Sequence, residues 1–187
     1  MPHARRSGHG HATERRLGGN APFAFGATHA YLRAMPSPTA KSRSKARAAA
    51  RLAAVQALYQ LEMEASSIPA LLHEFHQHRL GATIEDVEYA EADINFFDDI
   101  VVGVHERREE IDRIIAAKLT ADWTLDRLDK PMRQILRAGT YELMARKDVP
   151  VGAAISEYLD VTDAFYDRRE KGFVNGILDA VAKEVRA

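Results

Sequence analysis

Residues 41–60, KSRSKARAAARLAAVQALYQ, change character halfway along. The stretch 41–51 carries Lys41, Arg43, Lys45, Arg47 and Arg51 and no acid, and the remainder turns apolar with Leu52, Val55, Leu58 and Tyr59, followed by Leu61. At 100° per residue, Arg43, Arg47 and Arg51 fall at i, i+4 and i+8 on one helical face. Ala46, Ala48, Ala49, Ala50, Ala53, Ala54 and Ala57 are strong helix formers and allow a neighbouring helix to come close. The stretch predicts one helix over about Ser44–Glu64, buried in its C-terminal half and positive near its N-terminal end. Cations there oppose the helix dipole and cost a little stability. Phosphate binding supplies a reason for them; a solvated helix end is the alternative.

The helical period continues outward. Ser66 or Ser67 can cap a second helix with Pro69 in its first turn, Leu71, Leu72, Phe75 and Leu80 inside, and Gly81 at its end. After an acidic connection (82–91), Ile94, Phe97, Ile100, Val101 and Val104 form a stripe over Ala92–Val104. Ile111, Ile114, Ile115 and Leu119 continue it after a break near Gly103–Glu106. Trp123, Leu125 and Leu128 stud a short connection. Asp129 caps the next helix, with Pro131 in its first turn, and Pro150 ends it. Two more helices cover Val151–Phe165 and Glu170–Val185. No stretch alternates convincingly as a strand. The expected fold class is all-α, about seven helices.

Composition excludes several functions. There is no cysteine, which removes disulfides, thiolate metal sites and a cysteine nucleophile. No run of about 18 apolar residues offers a membrane span, and the beginning lacks a signal-peptide core, so a cytoplasmic protein is expected. The net charge of −1 hides an asymmetry: residues 1–40 carry five Arg against one Glu, leaving 21 basic and 26 acidic residues for the remainder. Glu85, Asp86, Glu88, Glu91, Asp93, Asp98 and Asp99 form an unrelieved acidic stretch. A mildly acidic body with one basic strip suits a specific polyanion contact better than indiscriminate coating. Residues 1–40, with paired arginines, glycines and prolines but no sustained period, read as a disordered basic extension dispensable for the fold. Residues 41–187 are expected to form one helical domain.

Catalytic and cofactor signatures are missing. The run HEFHQH (His73–His78) does not have the HExxH spacing of zinc proteases, and an exposed polar face is its plainer reading. No glycine-rich phosphate loop is present. The pairs Asp98–Asp99 and Glu109–Glu110 are sequence neighbours that point in different helical directions, not an acid/base pair. No catalytic residue, metal or cofactor is expected.

Five stretches resemble one family. ILRAGTYELMARKDVP (135–150), AISEYLDVTDAF (154–165) and FVNGILDAVAKEV (173–185) are similar to the body of the NusB family. RAAARLAAVQALYQ resembles its opening helix, and FFDDIVVGVHERREEIDRII its middle segment. The match runs in order over about Lys45–Val185. The resemblance implies two packed helical subdomains and an RNA-binding transcription antitermination factor that is not an enzyme. Such a factor binds the boxA element of ribosomal RNA transcripts with NusE, a small-subunit ribosomal protein, and helps RNA polymerase resist termination. A related adapter in ribosomal RNA processing or modification, without catalysis of its own, is the alternative. The chain ends two residues after Val185, so no attached methyltransferase domain is expected. Self-association as a homodimer stays open.

Carried over residue by residue, the resemblance implies an RNA strip at Arg43, Lys45, Arg47 and Arg51, with alanines at 48–50 where the family has denser arginine. Phe173 matches an aromatic placed to stack on an unpaired base, with core packing as its alternative, and Lys171 adds a phosphate contact beside Arg168 and Arg169. Tyr59, Asp126 and Met132 resemble positions near the NusE surface; a buried role is open for Tyr59. Arg137, Tyr141 and Glu142 are expected to hold the fold, and Asn175–Gly176 to permit close helix approach.

Overall fold

A computed structural model describes residues 39–64, 66–80, 83–84, 87–88, 92–120 and 123–187. The expected disordered extension over 1–40 lies outside them except for Thr39 and Ala40. Among the described residues there are seven α-helices: α1 Ala40–Glu64, α2 Ile68–His78, α3 Ile94–Glu106, α4 Arg108–Ala116, α5 Lys130–Ala145, α6 Val151–Asp163 and α7 Arg168–Val185. A 3-10 turn, Leu125–Arg127, leads into α5. The only β pairing among the described residues is between two two-residue strands, β1 Thr83–Ile84 and β2 Val87–Glu88, in antiparallel register Thr83↔Glu88 and Ile84↔Val87. It is a local hairpin inside the acidic connection and leaves the fold all-α.

The helix ends follow local chemistry. Ser67 caps α2 by accepting from the Ala70 N–H, and Asp93 caps α3 through the Phe96 N–H at 3.1 Å. The break between α3 and α4 falls at Arg107, whose backbone leaves the helical region. Asp129 occupies the cap position of α5, but its side chain makes no capping bond; its carboxylate accepts from the Tyr166 hydroxyl at 2.6 Å.

α5 is the hub. It packs against α1, α3, α4, α6 and α7, and every residue from Gln134 to Leu143 is buried. A helix enclosed on all sides must satisfy its polar side chains internally. Arg137 donates bidentately to Asp112 of α4 at 2.7 and 2.8 Å, Tyr141 donates to Asp99 of α3 at 3.0 Å, and Glu142 accepts from Arg51 of α1. Together these hub groups reach α1, α3 and α4, and Arg137 also donates to Glu62 of α1 at 3.3 Å. The apolar core closes around them with Val55, Leu58, Phe75, Phe97, Ile100, Ile111, Leu136 and Leu178. Ile94, counted in the α3 stripe, is instead exposed at the first turn.

Close helix approach is made elsewhere than expected. Gly176 is exposed, and an added Cβ there would meet nothing within 4 Å. The glycines at tight contacts are Gly103, where a Cβ would run into the Tyr141 ring, and Gly139, where it would lie 2.9 Å from Leu178.

Candidate nucleic-acid interface

The basic N-terminal end of α1 divides into three parts. Lys41, Arg43 and Lys45 are exposed, and none has an ion-pair partner among the described residues. The first turn of α1 holds no acid. Arg47 is half-buried, with its guanidinium 4.8 Å above the Phe96 ring and 3.7 and 3.5 Å from Asp93 and Asp148. Arg51, expected in the exposed strip, is a core residue only 3 % exposed. Its Nε and Nη2 donate to the two Glu142 carboxylate oxygens at 3.0 and 2.6 Å, and its Nη1 donates to Glu157 at 3.0 Å. Burial works against its charge, but the Glu142 hydrogen bonds, with the fields of Glu142 and Glu157, outweigh it and raise its pKa. The guanidinium is saturated by carboxylates and has no face left for a phosphate.

Phe96 organises this end of the molecule. Arg47, Arg51 and Arg146 all lie over its ring, at 4.8, 5.0 and 4.9 Å, a cation–π arrangement balanced by acids. Arg146 pairs with Asp99 at 2.8 Å and Asp148 at 2.9 Å, and the Arg146 hydrogen bond holds the Asp148 carboxyl down at about 2.

A second locus lies at the opposite end of α5. Phe173, on the first turns of α7, is half-buried against the core, with its ring centroid 6.2 Å from that of Trp123 and the planes tilted by 46°. The two rings open onto a cleft of about 500 Å³ whose walls include Leu128, Met132, Tyr166 and Arg169. Both roles weighed for Phe173 are therefore compatible: one side packs and the other faces the cleft. Lys171 is committed elsewhere, 2.5 Å from Asp163 and 3.9 Å from Asp160. Arg168 and Arg169 are exposed with no ion-pair partner among the described residues. Burial and the Asp129 carboxylate push the Tyr166 phenol well up, so it stands as a neutral donor. Along α5, Met132 and Arg146 are roughly 20 Å apart, so the cationic end and the aromatic cleft are separate features.

The residues expected at a protein partner also separate. Tyr59 is 38 % exposed and borders a cleft of about 460 Å³ with Met63, Pro131 and Phe165. Asp126 is almost wholly exposed (98 % of its side chain), 3.5 Å from Arg133. Met132 is 5 % exposed and forms the floor of the Phe173 cleft, not a protruding contact. Sequence reasoning missed Trp123 and Tyr166 as site residues. The one available signal was Trp123 itself, the single tryptophan, standing in a short connection. Among the described residues no cluster of His, Asp and Glu is arranged to hold a metal ion, and His76 pairs with Asp98 at 2.7 Å. No described helix is long and apolar enough to cross a membrane.

Comparison with known proteins bears on this geometry. The sequence model of the NusB family matches residues 48–183. Transcription antitermination protein NusB of Sphingopyxis alaskensis is 65 % identical over 144 residues, 77 % of this chain and 97 % of the relative. The protein of the same name from Sinorhizobium fredii is 44 % identical over 151 residues, 81 % of this chain and 94 % of the relative. Among solved structures, T. maritima NusB superposes with a TM-score of 0.60 at 28 % identity, over 79 % of this chain and 94 % of that one. A chain from a crystal structure of antitermination factors NusB and NusE in complex with dsRNA gives a TM-score of 0.62 at 24 % identity, over 78 % and 99 %, a likeness of fold.

Proposed function

The chain belongs to the NusB family, and from that premise we propose that it is a transcription antitermination factor. It binds a boxA-type single-stranded element of ribosomal RNA transcripts together with NusE, and helps elongating RNA polymerase resist termination. The observation that carries the RNA contact is the trio Lys41, Arg43 and Lys45. Three side-chain cations without carboxylate partners sit at a helix N-terminus, where they oppose the dipole and contribute nothing to the fold. Phosphates relieve that repulsion and release counterions. Arg47 joins the trio at the edge of the Phe96 cluster, and Phe173 offers a stacking face at the other end of α5. Tyr59 and the exposed Asp126 are the residues assigned to NusE contact. The mechanism is assembly rather than catalysis: binding energy holds RNA and a second protein on the polymerase in the cytoplasm, and the chain performs no chemistry of its own.

The test is fluorescence anisotropy of labelled boxA-like and scrambled RNA at two salt concentrations, with and without NusE. Preference for the boxA sequence, strengthened by NusE, supports the reading. Equal, salt-quenched binding of both RNAs would leave only general phosphate attraction.

A further inference from the structure

The cleft beside α7 carries more than one aromatic. Trp123 is 49 % exposed although it is the largest apolar side chain in the molecule. Its ring does not lie flat on Phe173; with centroids 6.2 Å apart and planes tilted by 46°, the two form a corner. Leu128 and Met132, both buried, floor that corner. The rim is polar in a particular way. Arg169 and Glu170 line it, and neither has a hydrogen-bond or ion-pair partner among the described residues. The Tyr166 hydroxyl at its side is held by Asp129.

We infer that Trp123 and Phe173 form a two-walled seat for one unpaired base of a bound single-stranded RNA, with Glu170 at its rim as the group that discriminates among bases. This rests on the RNA-binding reading above and adds a residue and a preference to it. A base stacks on one ring and abuts the other, which a single aromatic does not permit. Arg169 meets the phosphate that flanks the seated base. The Glu170 carboxylate is an acceptor only, so it favours a base carrying an exocyclic amino group and disfavours uracil, whose edge offers carbonyl oxygens at the corresponding positions. A peptide side chain is the competing occupant. The near balance of Arg127 and Arg169 against Asp129 and Glu170 around the cleft suits a neutral heterocycle on a charged backbone.

Because Trp123 is the only tryptophan, its intrinsic fluorescence reads the seat directly. Titration of the full chain with unlabelled boxA-like RNA is expected to quench it, both without NusE and after saturation with NusE. Trp123→Ala is expected to weaken RNA binding by about 5- to 150-fold, the range of one lost base stack, and Trp123→Phe by much less. Phe173→Ala should fall in the same range, and Glu170→Gln should narrow the difference between cytosine- and uracil-bearing RNAs. Circular dichroism of each variant checks the fold, and the half-exposed Trp123 is expected to be replaceable without loss of helix. RNA binding by anisotropy with no quenching, and with Trp123→Ala equal to the parent, would overturn the seat while leaving the RNA-binding reading intact. Loss of the RNA-induced quenching once NusE is bound would give the corner to a protein. Failure of the parent chain to bind RNA at all would overturn both.

Discussion

The Arg51 Nη2 atom lies 2.6 Å from Glu142 Oε1 in the interior between α1 and α5, 91 residues apart in sequence. The second Glu142 oxygen accepts from Arg51 Nε, and the remaining Arg51 nitrogen reaches Glu157 of α6. One guanidinium therefore ties α1 to two other helices. Its position on the same helical face as Arg43 and Arg47 is a geometric accident of spacing, not a shared role.

Arg51→Ala leaves the fully buried Glu142 carboxylate without its counter-ion. The expected loss is about 3–5 kcal/mol, read as a lower urea midpoint with an unchanged slope. Arg51→Met combined with Glu142→Leu should recover most of it, because both charges leave together. A single substitution costing under about 1 kcal/mol would contradict the geometry.

Lys41, Arg43 and Lys45 changed together to Ala should leave the denaturation midpoint unchanged within about 0.5 kcal/mol. RNA binding should weaken, and the slope of log affinity against log salt should become shallower by about 2, since each lost single-strand phosphate contact removes about 0.7. An unchanged slope would place the phosphates elsewhere.

Gly103→Ala forces a methyl group into the Tyr141 ring. Overpacking of this kind costs about 1–3 kcal/mol, equivalent to a drop in melting temperature of about 2–4 °C for each kcal/mol in a chain of this size. Gly176→Ala, in the exposed interior of α7 where a Cβ meets nothing, should instead raise stability by about 0.5–1 kcal/mol. Thermal melts of the two variants separate the glycine that spaces helices from the one that does not.

The hydrogen bond from Arg146 lowers the Asp148 carboxyl from an ordinary 3.8 to about 2. The unfolded chain then takes up this proton near pH 4 while the folded chain resists until about pH 2, so between these values the unfolded state holds more protons. The contribution is fully present above pH 4 and is lost as the pH falls through 2. Asp148→Asn should lower the urea midpoint at pH 6 and converge on the parent as the pH approaches 2. Half of the Asp148 side chain is exposed, so the difference is modest. A gap that widens on acidification would reverse the assignment.

Most of the helices were legible because their causes are local. Ser67 caps where a short polar acceptor precedes an apolar period, and Pro150 separates two helices, standing at the N-cap of α6 beyond the Arg146 end of α5. Errors arose where a local rule met a distant group. Asp129 has the chemistry of a cap, yet the Tyr166 hydroxyl, 37 residues on, takes its carboxylate. Gly176 sits beside an asparagine in a suggestive pair, but which glycine lies against another helix depends on how α3 and α7 meet α5, and those contacts belong to Gly103 and Gly139.

The sequence by itself determined the seven-helix class, the order of the elements, the basic opening of α1 and the resemblance to one family, because period, capping and proline chemistry act within a few residues. Tertiary structure decided which cations remain available and which rings meet. Arg43, Arg47 and Arg51 share one face, but only packing against Glu142 and Glu157 buries the third. Trp123 and Phe173 stand 50 residues apart, and only the packing of α7 beside the turn before α5 brings their rings into one corner. Burial and juxtaposition are properties of the partner surface, and no spacing along the chain encodes them.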